Sequence, residues 1–334
     1  MGRAAWDLCD AKARRSLLAR LLPHTCILRD NVGMMPTPNR RLLQRILAAA
    51  TIAVILAGCA PISLFNIFIP GSGFTATHDI AFTPHPRNKL DVYSPKSASN
   101  SSNVGQKPVV VFFYGGAWES GDKSSYLFVA EALTSRGYVV VIPNYRVYPE
   151  VIFPTYMEDA ALAVRWTFDN IAQYGGDPAK VFVMGHSAGA QLAALVAYDS
   201  KYLDPLGTKA GVDKRRIKGV VSLAGPLDFL PLTEPNLFII FPEAVRAASQ
   251  PINFIVGKEP PSLLLHGEDD SRVGIHNSRN LAARITDRGG IVEVTYYPGM
   301  GHVGILLALA APLRDGKPVL DRVAKFIDER AAAD

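Results

Sequence analysis

Cysteine is scarce in this chain of 334 residues, which contains only 3 of them. So few cysteines exclude a disulfide scaffold and a multi-cysteine zinc module. Glycine and proline are numerous, at 27 and 24 residues, but they follow no short period, which excludes a collagen-like or low-complexity chain. Apolar residues make up 49% of the chain, which excludes a disordered protein and provides enough side-chain area for a buried core.

An excess of charge of one sign is also missing once the N-terminal region is set aside. The formal net charge is +5, but residues 1–58 contain nine basic and three acidic side chains. The remaining 276 residues contain 26 basic and 27 acidic side chains. This near-neutral body gives no electrostatic reason to expect a nucleic-acid partner.

The N-terminal region has the pattern of an export signal. The uncharged run from Ile46 to Gly58 is 13 residues long, whereas a transmembrane helix needs about 20. It follows three arginines in residues 40–45, as the apolar part of a signal peptide does. We therefore interpret 34–58 as a signal peptide and 1–33 as an upstream start assigned in error. An N-terminal helix that anchors or packs is the alternative interpretation.

The end of this run, Leu56-Ala57-Gly58-Cys59, resembles the bacterial lipoprotein box. The resemblance implies that Cys59 is lipidated and becomes the mature N terminus. It also implies that the protein is exported and lipid-anchored to the cell envelope, so that the membrane is a partner. Ala60, in place of an aspartate, points to the outer membrane if the bacterium has two membranes.

The remaining chain alternates short apolar runs with helical stretches. We interpret 59–77 as a tether and N-terminal arm, 78–334 as one α/β domain, and 226–260 within it as a small insertion or lid. Runs that are apolar on both faces and alternate with helices predict a mostly parallel central sheet covered on both sides by helices. The alternating series has strand-like runs at 109–114, 139–142, 181–184, 220–223, 262–265 and 292–296. Two earlier runs, at 80–82 and 90–93, predict a hairpin at the edge of the sheet.

A serine nucleophile is predicted by Gly185-His186-Ser187-Ala188-Gly189, which matches G-x-S-x-G. The motif lies between an apolar strand and an alanine-rich helix, the context of a strained nucleophile elbow. A serine hydroxyl needs an adjacent base, and in α/β-hydrolases the acid and then the histidine follow the serine. His302, on a glycine-rich loop after the last strand, is the predicted base. His276, near a helix start, is the alternative.

The acid is predicted on the loop that follows 262–265. Asp270 fits the pattern H-G-x-x-D-x-x-V there, with Glu268 and Asp269 as alternatives. Its role is to orient the imidazole and stabilise its charged form. Backbone donors for an oxyanion are expected at Gly116 and Ala117, after the 109–114 strand, and at Ala188, after the nucleophile.

Together these motifs resemble the α/β-hydrolase superfamily, and within it the hormone-sensitive-lipase-like bacterial carboxylesterases that include feruloyl and acetyl-xylan esterase-like proteins. The resemblance covers about residues 78–330. It rests on the following segments: Gly115-Gly116-Ala117-Trp118, Gly121-Asp122-Lys123, Asn144 to Glu150, Phe153-Pro154, Asp159, Gly175 to Pro178, Gly185 to Gly189, and the loops of Asp270 and His302.

The chain departs from the family at Tyr114, where relatives have a histidine that supports the oxyanion loop. A tyrosine can also form hydrogen bonds from that position, so we expect activity with an altered loop geometry. Gly115 and Trp118 belong to the same loop. Tyr145 and Arg146 are expected to stabilise it from beneath rather than to react.

The resemblance implies a serine hydrolase that cleaves small-molecule carboxylic esters of short to medium acyl chain through an acyl-enzyme. An arylformamidase-like amide hydrolase with the same triad and a non-catalytic binding module on the hydrolase fold are the alternatives. No Walker A sequence is present, and His186 and His266 form no recognisable zinc-ligand set, so no cofactor and no metal are expected. The sequence gives no indication of the oligomeric state.

Overall fold

The computed structural model describes residues 62–96, 106–203 and 217–333. The predictions for 1–33, for the signal peptide at 34–58 and for lipidation of Cys59 lie outside these residues. Within the described ranges, none of the helices combines the length and the apolar character needed to cross a bilayer.

One eight-stranded sheet organises the described residues. In chain order its strands are β1 Phe74–Ala81, β2 Lys89–Pro95, β3 Lys107–Phe113, β4 Val139–Pro143, β5 Gly176–His186, β6 Ile217–Leu223, β7 Ser262–Gly267 and β8 Val292–Tyr297. Their spatial order is β1-β2-β4-β3-β5-β6-β7-β8. The first strand pairs antiparallel with the second, the second pairs antiparallel with the fourth, and all other pairings are parallel.

Helices connect the parallel strands and cover both faces of the sheet, as the alternating pattern predicts. They are α1 Leu127–Thr134, α2 Thr155–Asn170, α3 Ala188–Tyr198, α4 Ser200–Leu203, α5 Pro235–Ile240, α6 His276–Asp287, α7 His302–Leu307 and α8 Val319–Ala332. Short 3-10 turns extend or join them at Lys123–Tyr126, Ile171–Tyr174 and Ala311–Leu313. The mostly parallel α/β fold expected from the sequence is confirmed.

The central strands form the core because every side chain of their middle sections is buried. Val109 to Phe113 in β3 and Val139 to Ile142 in β4 have no exposed area. Such continuous apolar runs bury both faces of a strand and therefore require helices on both sides. This rigid centre fixes the positions of the loops that leave its carboxyl edge.

The N-terminal arm is packed against the body rather than extended away from it. Phe65 lies in a 3-10 turn at Ile62–Phe68, is buried, and has its ring 6.1 Å from that of Phe128. The first strand begins at Phe74, earlier than the sequence boundary at 78, because Phe74 packs edge-on against Tyr93 at 5.7 Å.

The segment 226–260, interpreted above as a small insertion or lid, lies between β6 and β7 in the chain. Its helix is α5, Pro235–Ile240, whereas the helix-like stretch from Pro242 to Ser249 forms two 3-10 turns instead. Side-chain bonds hold this stretch where helical bonds were expected: Arg246 Nε donates to the Phe241 carbonyl, and Asn253 Nδ2 donates to the Ala247 carbonyl.

Candidate active site

Four parallel strands end at the same edge of the sheet and position the predicted site residues. The segment 114–118 follows β3, Ser187 follows β5, Asp270 lies three residues after β7, and His302 lies five residues after β8. The carboxyl edge of an open parallel sheet is where such folds bind ligands. Side chains far apart in sequence therefore meet at this edge.

Ser187 occupies a sharp turn between β5 and α3. Its backbone φ is 54° and its ψ is −127°, a conformation that a non-glycine residue rarely adopts. Glycines are required around it: a Cβ atom at Gly185 would lie 2.2 Å from the Gly189 carbonyl oxygen, and one at Gly189 would lie 2.1 Å from the Phe113 carbonyl oxygen. The strained elbow predicted from the motif is present.

The imidazole of His302 joins the serine to the acid. Its Nε2 atom lies 2.9 Å from Ser187 Oγ, and its Nδ1 atom lies 2.7 Å from Asp270 Oδ2. Since the carboxylate can only accept, Nδ1 carries the proton and Nε2 is free to accept one from the serine hydroxyl. The structure thus brings Ser187, His302 and Asp270 into one chain of hydrogen bonds.

Neither alternative for the acid takes part in this chain of hydrogen bonds. Glu268 and Asp269 are exposed, while Asp270 is buried. The alternative base, His276, begins α6 with an exposed side chain that borders the cavity, and no hydrogen bond joins it to Ser187 within the described part of the chain. The geometry agrees with Asp270 and His302.

Asp270 is held ionised by the groups around it. Burial alone would raise its pKa, but hydrogen bonds from His266 and His302 hold that pKa below its ordinary value. The backbone N–H groups of Arg272 and Val273 each donate to its Oδ1 atom at 2.9 Å. The acid is therefore a fixed carboxylate facing the imidazole.

Two buried histidines lie next to this chain of hydrogen bonds. The sequence predicted no role for either of them. His186 Nε2 donates to the His302 carbonyl at 3.0 Å. His266 Nε2 donates to the Val273 carbonyl at 2.9 Å and lies 3.3 Å from Asp270 Oδ2. Their only sequence signal was their place inside the G-x-S-x-G and H-G-x-x-D patterns, because both contacts depend on folding.

The loop at 115–118 has free backbone donors next to the serine. A Cβ atom at Gly115 would lie 2.9 Å from the Ser187 Cβ, which shows how closely this loop approaches the nucleophile. Gly116 has φ 139°, Ala117 has φ 52° and Trp118 has φ 61°. Among the residues that the structure describes, the N–H groups of Gly116, Ala117 and Ala188 donate to no protein acceptor.

Tyr114 stabilises this loop from below. Its hydroxyl donates to Asn144 Oδ1 at 2.8 Å, and its ring stacks against Tyr126 at 5.3 Å and Tyr145 at 4.8 Å. The Tyr145 hydroxyl donates to the Tyr114 carbonyl at 2.7 Å. Burial raises the pKa of Tyr114 above its ordinary value, so the phenol stays neutral and can donate.

Arg146 pairs with a buried carboxylate rather than with the site. Its guanidinium contacts Asp159 through Nη2 at 2.7 Å and through Nε at 2.9 Å, and its own backbone N–H donates to the same carboxylate at 2.9 Å. Asn88 Nδ2 completes the set at 2.9 Å. The pair connects the strand-end loop at 144–146 to helix α2.

A cavity of about 320 Å³ opens beside Ser187 and His302. Its wall is mainly apolar and comes largely from the insertion, with a few polar groups of the Asp270 loop and of α6 at its rim. The lining residues are Ala117, Trp118, Ser187, Pro226, Phe229 to Glu234, Leu237, Arg272 to Gly274, His276, Asn277 and His302.

Known proteins are similar to this chain in sequence. The chain is 27% identical over 296 residues to a probable isoprenylcysteine alpha-carbonyl methylesterase of Arabidopsis thaliana, covering 83% of this chain and 60% of the relative. It is 30% identical over 267 residues to esterase LipQ of Mycobacterium tuberculosis, covering 75% of this chain and 62% of the relative. The chain thus spans about 60% of the length of these relatives.

Solved structures show the same fold at lower identity. A truncated carbohydrate esterase from gut microbiota has a TM-score of 0.66 and 22% identity, covering 79% of this chain and 98% of that one. Esterase 2 of Thermogutta terrifontis has a TM-score of 0.64 and 23% identity, covering 78% and 96%. The BD-FAE family model matches residues 90–285, more than half of the chain. The chain therefore belongs to the BD-FAE family, an esterase family of the α/β-hydrolase superfamily, which confirms the resemblance seen in its motifs.

Proposed function

We propose that this chain is a serine hydrolase that cleaves carboxylic esters of short to medium acyl chain through a Ser-His-Asp triad and an acyl-enzyme. The observation that supports this most is the continuous hydrogen-bond chain from Ser187 Oγ through the imidazole to Asp270 Oδ2. Family membership and the esterase relatives support ester bonds as the substrate class.

The first step is attack by Ser187 on the carbonyl carbon of the ester. His302 Nε2 accepts the serine proton as the new bond forms and donates it to the departing alcohol. Asp270 keeps the proton on Nδ1 and stabilises the positive charge that the ring acquires. Water then attacks the acyl-enzyme with the same proton transfers in the same order.

The developing oxyanion requires donors that exist before the reaction begins. The N–H groups of Gly116, Ala117 and Ala188 are the proposed donors, because no protein acceptor in the described residues uses them. Ala188 is also the first residue of α3, an 11-residue helix whose N-terminal end favours negative charge. Each such donor typically contributes about 3 kcal/mol to the transition state.

The size of the cavity supports the acyl-chain preference. A volume of about 320 Å³ is near the lower end of the range of small-molecule sites, which is about 300–1,000 Å³. Buried amides fix its wall: Asn277 Oδ1 accepts from the N–H groups of Leu227 and Asp228, and Gln250 Oε1 accepts from that of Phe229. A wall held in this way limits expansion of the cavity for long chains.

A panel of p-nitrophenyl esters tests the proposal. We expect the highest kcat/KM with acetate or butyrate, a loss of at least tenfold with palmitate, and slower cleavage of an N-formyl aromatic amine. A preference for the palmitate ester, or for the formamide, would overturn the chain-length claim or the ester claim respectively. Absence of any covalent labelling by a fluorophosphonate would favour the binding-module alternative.

We further propose that the mature protein is lipid-anchored through Cys59 to the bacterial cell envelope, and to the outer membrane in a two-membraned bacterium. The folded body begins near this residue, since Ile62 already lies in the 3-10 turn that packs through Phe65. Expression of wild type and Cys59→Ser with radiolabelled palmitate should label only the wild type. Equal labelling, or equal release into the soluble fraction, would overturn this proposal.

A further inference from the structure

A buried glutamine connects the candidate oxyanion loop to the insertion. Gln191 is buried in α3, four residues after Ser187. Its Oε1 atom accepts from the Trp118 indole N–H at 2.8 Å, and its Nε2 atom donates to the Ser249 carbonyl at 2.7 Å. The indole can only donate and the carbonyl can only accept, so the amide has one orientation.

The loop that this bond reaches is strained. Ala117 and Trp118 both have positive φ values, at 52° and 61°, which L-residues adopt only where surrounding contacts enforce them. Of these two residues, Trp118 is held in place by contacts with the rest of the protein. Its carbonyl accepts from the Tyr148 N–H at 2.8 Å, and its ring packs edge-on against Phe241 at 4.8 Å.

The indole bond determines how the ring lies in its apolar surroundings. Both Trp118 and Gln191 are buried, at 5% and 0% exposure. Removal of the amide would leave the indole N–H buried without this acceptor, which disfavours the present ring position. A ring that moves to recover a hydrogen bond changes the backbone of Ala117, whose N–H faces the position of the oxyanion in the proposed mechanism.

The same glutamine adjoins the pocket wall. Ser249 Oγ accepts from Gln250 Nε2 at 2.8 Å, and Gln250 Oε1 accepts from the Phe229 N–H at 2.8 Å. Phe229 lines the cavity, and its ring lies 5.8 Å from that of Trp118. One buried polar network therefore joins the strained loop to the wall of the pocket.

We propose that Gln191 is a positioning residue that holds the oxyanion loop in its strained conformation through the Trp118 indole. The proposal rests on the proposed function. It predicts that loss of the Gln191–Trp118 bond weakens stabilisation of the transition state more than binding of the substrate.

The test uses the full chain with Gln191→Met, Trp118→Phe and the double variant, assayed on p-nitrophenyl butyrate. Methionine keeps the length of the side chain and phenylalanine keeps a ring, but each removes the bond. We expect each single variant to lower kcat by about tenfold to a hundredfold, with KM within about threefold. The double variant should match the single variants, because both changes remove the same interaction.

Tyr198→Phe is the matched control. Tyr198 is buried in the same helix and its hydroxyl bonds to Ser262 Oγ at 2.6 Å, away from the candidate site. This variant should lower the melting temperature while kcat stays within about twofold. If Gln191→Met is folded and keeps the wild-type kcat, or if the effects of the single variants simply multiply, the proposal is wrong.

A fluorescence measurement separates this proposal from the proposed function. The emission of Trp118 is obtained by subtraction: wild type minus Trp118→Phe, and Gln191→Met minus the double variant. We expect the emission maximum to differ between the two, because the indole N–H loses its acceptor in Gln191→Met. An unchanged emission overturns the positioning role even if no ester is hydrolysed. A wild type that neither cleaves esters nor reacts with a fluorophosphonate overturns the proposed function instead. If Gln191→Met does not fold, Trp118→Phe alone decides through its kcat.

Discussion

His302 Nε2 lies 2.9 Å from Ser187 Oγ, although 115 positions separate the two residues in the chain. The contact exists because β5 and β8 end at the same edge of one sheet, with two strands between them. Four further structural features, at Asp270, Gly189, Arg146 and His186, predict the effects of single substitutions.

Asp270→Asn tests the assignment of the acid. The amide can still accept from the N–H groups of Arg272 and Val273, but it no longer requires a proton on His302 Nδ1. We expect kcat to fall by about a thousandfold or more, because the imidazole loses its tautomer and its charge partner. Steady-state kinetics with p-nitrophenyl butyrate measure the effect.

Asp269→Asn is the control for this change, since Asp269 is exposed and adjacent in sequence. Its kcat should stay within about twofold of the wild type. A large loss at Asp269 together with a small loss at Asp270 would reassign the acid.

Gly189→Ala tests the close approach at the elbow. The added Cβ atom would lie 2.1 Å from the Phe113 carbonyl oxygen and 2.4 Å from that of Tyr114, and backbone atoms can adjust little. We expect the free energy of unfolding to fall by at least about 1–3 kcal/mol, the usual cost of overpacking. Urea unfolding followed by circular dichroism measures it.

Gly71→Ala provides the comparison, because nothing lies within 4 Å of its added Cβ atom. Stability should then change by less than about 0.5 kcal/mol. Equal losses at the two glycines would contradict the packing argument.

Arg146→Ala tests whether the Arg146–Asp159 pair is structural. Asp159 is fully buried, and removal of the guanidinium leaves its charge uncompensated. We expect a loss of about 3–5 kcal/mol in the free energy of unfolding, with near-normal kcat in the protein that remains folded at low temperature. Thermal unfolding and an active-site titration measure the two quantities separately.

The exposed pair Arg165–Asp169, with Nε and Oδ2 2.7 Å apart, is the reference for this comparison. Arg165→Ala should cost at most about 1 kcal/mol. If Arg146→Ala were as mild, or if it abolished turnover without loss of stability, the structural role would be wrong.

His186 predicts an acid-dependent loss of stability. Burial, together with the neighbouring His302, lowers the pKa of His186 to about 3. In the unfolded chain the pKa of this side chain is about 6.5. Between pH 3 and 6.5 the unfolded chain therefore binds more protons than the folded one. The contribution is therefore present above about pH 6.5 and is lost as the pH falls toward 3.

His186→Gln should remove this dependence, which amounts to at most about 1.4 kcal/mol per pH unit for one proton. Urea unfolding at several pH values between 6.5 and 4.5 compares the slopes of wild type and variant. Parallel slopes would mean that His186 does not remain neutral in the folded protein.

Much of the site could be predicted because its residues lie in local patterns. Ser187, Asp270 and His302 each follow an apolar strand, and the fold rule that strands end at one edge brings them together. Strand positions were predictable for the same reason, since buried parallel strands are continuous apolar runs.

The supporting contacts could not be predicted, because they depend on side chains that meet only after folding. Gln191 is one polar residue in an alanine-rich helix, and nothing local shows that Trp118 lies against it. The amide contacts of Asn277 and Gln250 that fix the insertion also form only on folding. At 243–249, side-chain bonds from Arg246 and Asn253 replace the helical bonds that local propensity favours. Tyr114 was predicted to form hydrogen bonds, but its partner Asn144 was not predicted.

The most direct test of the account is labelling of the purified chain with a fluorescent fluorophosphonate, with Ser187→Ala and His302→Gln measured in parallel. Wild type should be labelled at one residue, identified as Ser187 by peptide mass spectrometry. Ser187→Ala should not react, and His302→Gln should react at least a hundredfold more slowly because the serine loses its base. Equal labelling of wild type and Ser187→Ala, or none of the wild type, would contradict the assignment of Ser187 as nucleophile.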